Sequence, residues 1–140
     1  MEQRITKKLV NELSYEIIGA AIEVHKFFGP GLVEKNYEKA LLHELQLRNL
    51  KTTAQQNIEV PYKGIILECE LRYDVLVENL IVVENKATIE MHPVFEAILL
   101  SYMKHLQAPK GILINFHVKN LFNEGQQTFV NEYYAALPEA

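Results

Sequence analysis

Four side chains in this sequence have types and spacing that can do chemistry: Glu34, Asp74, Glu84 and Lys86. Glu84 and Lys86 stand two apart, just after the apolar run Ile81-Val82-Val83, so on a strand they share a face. Asp74 interrupts an alternating apolar stretch, a place where aspartate is depleted. If residues 78–80 form a three-residue loop, Val77 pairs with Ile81 and Asp74 with Glu84. Asp74, Glu84 and Lys86 then share one face, and Val75, Val77, Ile81 and Val83 line the other. A two-residue turn would put Asp74 and Glu84 on opposite faces. Carboxylates opposed across two strands repel, and a divalent cation offsets the repulsion. Hard oxygen ligands suit Mg²⁺ or Mn²⁺. Lys86 can then hold a nucleophilic water or stabilise charge on a phosphate undergoing substitution. The competing arrangement is a solvated face with Asp74 paired to Arg72 or Lys86.

Glu34 falls in the middle of the stripe made by Tyr37, Leu41 and Leu45. A carboxylate facing the core must be paired, protonated or bound to a metal. Its other reading is an ordinary first-turn acid, favoured by the helix dipole.

The elements that must position these groups follow from hydrophobic period. Leu9, Leu13, Ile17, Ala20, Val24 and Phe28 recur at three- and four-residue steps, which predicts an amphipathic helix ended by Gly29-Pro30-Gly31. Residues 32–49 repeat the helical period. From Ile65 to Glu78 every odd position is apolar, which predicts one long strand with a buried face and a bend or bulge within it. An earlier strand around Asn57–Tyr62 contains Pro61 and so belongs at an edge. Ile81-Val82-Val83 reads as a strand covered on both faces. Pro93 opens a helix to about Leu106 that is apolar nearly all round and is expected to be deeply packed. Residues 111–116 form another buried strand, and Gln127–Val130 a short one. The result is a single α/β domain over residues 1–140, built around a mixed sheet.

These residues also resemble a family. The run 24–38, containing Gly31, Glu34 and Tyr37, is similar to the signature of the GxxExxY proteins, small bacterial and archaeal members of the PD-(D/E)xK nuclease superfamily. The likeness continues through residues 60–64, 71–78, 83–87, 96–102 and 111–116. It implies a restriction-endonuclease-like core, a mixed sheet with helices on both faces. It implies Asp74 and Glu84 as metal ligands, Glu34 as the helix carboxylate that helps them hold one or two Mg²⁺ ions, Lys86 as the lysine of the E-x-K element and the Asn85 carbonyl as an additional ligand. Gly31 and Tyr37 would shape the loop and pack the helix. The expected activity is Mg²⁺- or Mn²⁺-dependent hydrolysis of nucleic-acid phosphodiesters, DNA or RNA. The alternative is a catalytically impaired relative that binds nucleic acid or a protein partner. Two positions depart from the family: Ile98 stands where Gln is usual, and Phe95 where His is usual.

Composition narrows the field further. The net charge of −4 argues against a generic polyanion-coating protein, whose affinity would come from excess Lys and Arg. One cysteine, Cys69, excludes an internal disulfide and a Cys-rich zinc site; it is expected on a buried strand face, where thiols are inert. The five histidines lack ligand spacing, and His92 is expected to cap the helix after it. No apolar run is long enough to span a bilayer and residues 1–16 lack a signal-peptide h-region, so a cytoplasmic protein without a membrane partner is expected. A homodimer is compatible with the chain.

Overall fold

The computed structural model describes residues 4–67 and 71–140; Cys69 and its expected burial lie outside the described residues. The first helix, α1 (Lys7–Phe28), starts where the Thr6 side chain accepts the Leu9 N–H. It stops at Gly29, held at φ +67°, whose N–H reaches the His25 carbonyl. Its buried stripe is Val10, Leu13, Ile17, Ala20, Ala21 and Val24. Phe28, expected on that stripe, is exposed at the last residue of the helix. The second helix, α2 (Glu34–Leu47), buries Tyr37, Leu41 and Leu45.

The expected strand from Ile65 to Glu78 is not one element. After β1 (Thr52–Ala54), β2 (Val60–Tyr62) and β3 (Ile65–Leu67) form a separate two-stranded sheet, and Ile65, Ile66 and Leu67 are all exposed. Pro61 sits in this hairpin, where its missing N–H costs nothing in the main sheet. The sheet that carries the core resumes with β4 (Val75–Val77) and β5 (Ile81–Lys86). Alternation slips just before β4: Tyr73 joins the same core cluster as Leu76, whereas Val75 joins the opposite one. Asp74 occupies that bend.

Then follow α3 (Val94–Leu106), β6 (Lys110–Asn115), α4 (Leu121–Glu124), β7 (Gln126–Val130) and α5 (Glu132–Ala135). The five-stranded order is β1-β4-β5-β6-β7, with β5 and β6 parallel and the other pairs antiparallel. Parallel pairing requires a crossover, and α3 is that crossover. One face of the sheet (Val75, Val77, Ile81, Val83, Ile112, Ile114) packs with the buried residues of α1 and α2. The other (Leu76, Val82, Leu113) packs with Leu99 and Met103 of α3. This is a mixed sheet with helices on both faces, a restriction-endonuclease-like arrangement.

α3 differs from its expectation. Only Leu99 and Met103 are fully covered, while Val94, Ile98 and Leu100 are exposed. The helix touches the sheet along a single stripe, seated on Gly111, where an added Cβ would lie 2.6 Å from Met103 Sδ and 2.9 Å from Leu99 Cδ1. The His92 ring accepts the Val94 N–H through Nδ1 at 3.0 Å, capping α3 as expected. Among the described residues, no helix is long and apolar enough to cross a membrane.

Candidate active site

The β4–β5 turn is residues 78–80, with Glu78 and Asn79 both at positive φ. Val77 faces Ile81 and Val75 faces Val83. Continued by one step, that register sets Asp74 opposite Glu84. The Asp74 N–H donates to Glu84 Oε1 at 3.2 Å. Asp74 Oδ2 in turn accepts the Asn85 N–H at 2.8 Å.

Side-chain direction follows from strand parity. Val82 faces α3, so Glu84 and Lys86 do too; Lys86 Nζ lies 4.5 Å from the centre of the Phe95 ring on α3. Asn85 points the other way, toward α2, and is fully buried. Its N–H lies on the β4 side, so its carbonyl does as well. Asp74, at the bend, draws neighbours from both faces: Glu84 on the α3 side, and Gln55, which donates from Nε2 to Asp74 Oδ1 at 3.3 Å.

Burial pushes the Glu84 carboxyl up to about 9, and the Asp74 charge adds to the rise. Lys86 opposes it weakly. At neutral pH the isolated protein therefore carries a proton on Glu84, the cheapest way to hold two carboxyls together in a desolvated place. Tyr102, one helical turn beyond Ile98, is also raised, first by desolvation and then by Glu84 and Asp74. Phe95, Ile98 and Tyr102 stand at three- and four-residue steps, so this face of α3 walls the site.

Among the described residues, no hydrogen bond joins Glu34 to this pair, although it lines the same cleft as Asp74. It lies exposed at the first turn of α2, beyond the layer that Tyr37, Leu41 and Leu45 cover, so the core-facing placement expected for it does not hold. Its pKa is raised by partial desolvation; Lys86 opposes the rise and Asp74 adds to it, so all three share one field. Among the described residues, no three His, Cys, Asp or Glu side chains converge closely enough to enclose an ion. The ion pairs among them are Lys7–Glu139, Lys8–Glu12, Arg48–Glu16 and Arg48–Glu44, so neither Arg72 nor Lys86 neutralises Asp74.

Two residues at the site were not singled out from sequence. Glu38 lies one turn after Glu34, and its carboxylate accepts Gln55 Nε2 at 2.9 and 3.0 Å. Burial raises Glu38; the amides of Gln55 and Asn85 lower it, while Asp74 and Glu34 raise it. The i, i+4 spacing from Glu34 was a signal for Glu38. Gln55 carries no periodic signal. Glu34, Lys35, Glu38, Lys39, Gln55, Arg72 and Asp74 line an open cleft over the site.

The loop before α2 is fixed by Tyr37. Its hydroxyl donates to the Gly29 carbonyl and accepts the Leu32 N–H at 3.0 Å, and its ring stacks on Phe116 at 4.4 Å. Glu34 is thereby held at the cleft.

No curated protein and no solved structure gives a significant match to this chain. The family model of the PD-(D/E)XK nuclease superfamily matches residues 11–128, a span that runs from α1 into β7 and contains every residue of the site. With an acid at the entry to β4, the Glu84-Asn85-Lys86 run on β5 and helices on both faces of a mixed sheet, the chain belongs to the PD-(D/E)XK nuclease superfamily.

Proposed function

We propose that this protein hydrolyses nucleic-acid phosphodiesters with Mg²⁺ or Mn²⁺. The observation that carries the reading is the Asp74–Glu84 pair, a half-buried and a buried acid brought together where β4 leaves the ladder, with Lys86 two residues after Glu84 on β5. Burial raises the Glu84 carboxyl to about 9 beside the Asp74 charge, and a hard cation would relieve that cost by binding the carboxylate oxygens of both acids. Asp74 and Glu84 would hold the ion, with the Asn85 carbonyl on the same strand edge. When bound, the ion supplies Lewis-acid polarisation of the phosphate and activation of water. Lys86 stabilises negative charge that builds on the phosphate oxygens. Phe95 keeps its ammonium in place by a cation–π contact. Glu34, on the cleft rim, adds to the negative field that draws the cation in. The arrangement of Gly31, Glu34 and Tyr37 supports the GxxExxY branch of the superfamily, in which Tyr37 ties down the Gly29–Leu32 loop.

Ile98 favours a second reading. It stands on the wall between Phe95 and Tyr102, where it offers no hydrogen bond, and a relative that only binds nucleic acid or a protein partner would tolerate this. The test is cleavage of single- and double-stranded DNA and of RNA, with Mg²⁺, with Mn²⁺ and in chelator. Metal-dependent cleavage lost in Lys86→Ala supports hydrolysis. Binding of nucleic acid without cleavage under any of these conditions overturns it in favour of the second reading.

A further inference from the structure

Gln55 is held at φ +54°, a left-handed conformation uncommon outside glycine, and its N–H donates to the Asp74 carbonyl at 3.0 Å. Its side chain turns back to the same residue. An amide nitrogen has two hydrogens. Gln55 Nε2 lies 2.9 and 3.0 Å from the two oxygens of Glu38 and 3.3 Å from Asp74 Oδ1, so its two hydrogens suffice for both carboxylates. A carboxylate only accepts, so Glu38 decides which end of the Gln55 amide faces Asp74. Rotated end for end, the amide would aim its own oxygen at two carboxylates. Asp74 is thus gripped at both oxygens, by Gln55 at Oδ1 and by the Asn85 N–H at Oδ2.

We propose that Gln55 and Glu38 form a positioning pair that orients the Asp74 carboxylate for cation binding, with Glu38 acting through Gln55. This rests on the reading of Asp74 as a cation-holding residue. Groups that orient a metal ligand from behind commonly change metal affinity by about 10- to 100-fold when removed.

The experiment is titration calorimetry of Mn²⁺ into the full chain, with thermal unfolding in chelator as a control for folding. Gln55→Ala should weaken Mn²⁺ binding by about tenfold. Glu38→Ala should weaken it similarly, and Glu38→Gln, whose oxygen still accepts from Gln55, should stay close to wild type. The double variant Gln55→Ala/Glu38→Ala should bind no more weakly than Gln55→Ala alone, because residues acting in series are not additive. Unchanged affinity in Gln55→Ala overturns the proposal. It is also overturned if Glu38→Gln falls as far as Glu38→Ala and the double variant shows the product of both losses, since Glu38 would then act by its charge alone. Should Gln55→Ala not fold, the contrast between Glu38→Ala and Glu38→Gln decides. Wild type that binds no Mn²⁺ overturns the underlying assignment of Asp74 instead.

Discussion

The backbone N–H of Asp74 points at the side chain of Glu84, 3.2 Å away, at the step where β4 stops pairing with β5. A main-chain donor thus meets a carboxyl that burial has already made hard to ionise.

In chelator, wild-type stability should fall as pH rises. The Glu84 carboxyl moves from 4.5 to about 9 on folding. A carboxyl with a raised folded pKa contributes its full stability below the unfolded value, and the contribution is lost as pH climbs to the folded one. The loss over that window is up to about 1.4 kcal/mol per pH unit. Glu34 and Glu38, also raised, act in the same direction. Glu84→Gln cannot ionise and should flatten most of the slope. Urea unfolding across the window checks this; equal slopes in both proteins would refute the buried proton.

Asp74→Asn should cost about 1 kcal/mol in chelator, because an amide cannot accept from both Asn85 N–H and Gln55 Nε2. Mn²⁺ at a hundredfold over its dissociation constant should stabilise wild type by about 2.7 kcal/mol. The variant should lose most of that response. Thermal unfolding with and without Mn²⁺ reads both effects, and a variant as responsive as wild type would remove Asp74 from the metal site.

Ile98→Gln should raise metal-dependent cleavage several-fold. The position lies between Phe95 and Tyr102 and is 38% exposed, so the new amide faces the site at a folding cost within about 0.5 kcal/mol. Single-turnover rates measure it. A rate no higher than wild type would show that this wall of α3 does not meet the substrate.

Tyr37→Phe keeps the ring stacked on Phe116 and removes the hydroxyl that serves both Gly29 and Leu32. Leaving those backbone groups unmet should cost about 1–3 kcal/mol. A midpoint in urea close to wild type would mean that the loop holds itself.

Much of the site was legible because strand parity is a strict constraint. With residues 78–80 as the turn, Val75, Val77, Ile81 and Val83 must share a face, and they do. The same step sets Asp74 against Glu84. Parity failed where the backbone bends: apolar alternation runs unbroken from Ile65 to Val77, but the chain leaves the main sheet and exposes Ile65, Ile66 and Leu67. On α3, composition suggested burial all round, yet the sheet covers only the stripe of Leu99 and Met103 and leaves Val94, Ile98 and Leu100 exposed. Helical phase placed Glu34 on the core side without showing that the layer beneath ends before its first turn. Gln55 was invisible because its role depends on two partners, Glu38 and Asp74, that lie far from it in sequence.

The interruption at Asp74 has a consequence for how freely this site can drift. In an unbroken ladder Asn85 would be opposite Tyr73, and their main-chain groups would serve each other. Here the Asn85 N–H serves the Asp74 carboxylate, and the Tyr73 N–H serves the Gln56 carbonyl. Two of the donors that fix the acidic pair, at Asp74 and Asn85, thus belong to the peptide backbone itself. Every amino acid but proline supplies such a donor. Position 85 can therefore exchange its side chain, polar for apolar, while continuing to hold Asp74, and tolerance to substitution there says nothing against the importance of the bond.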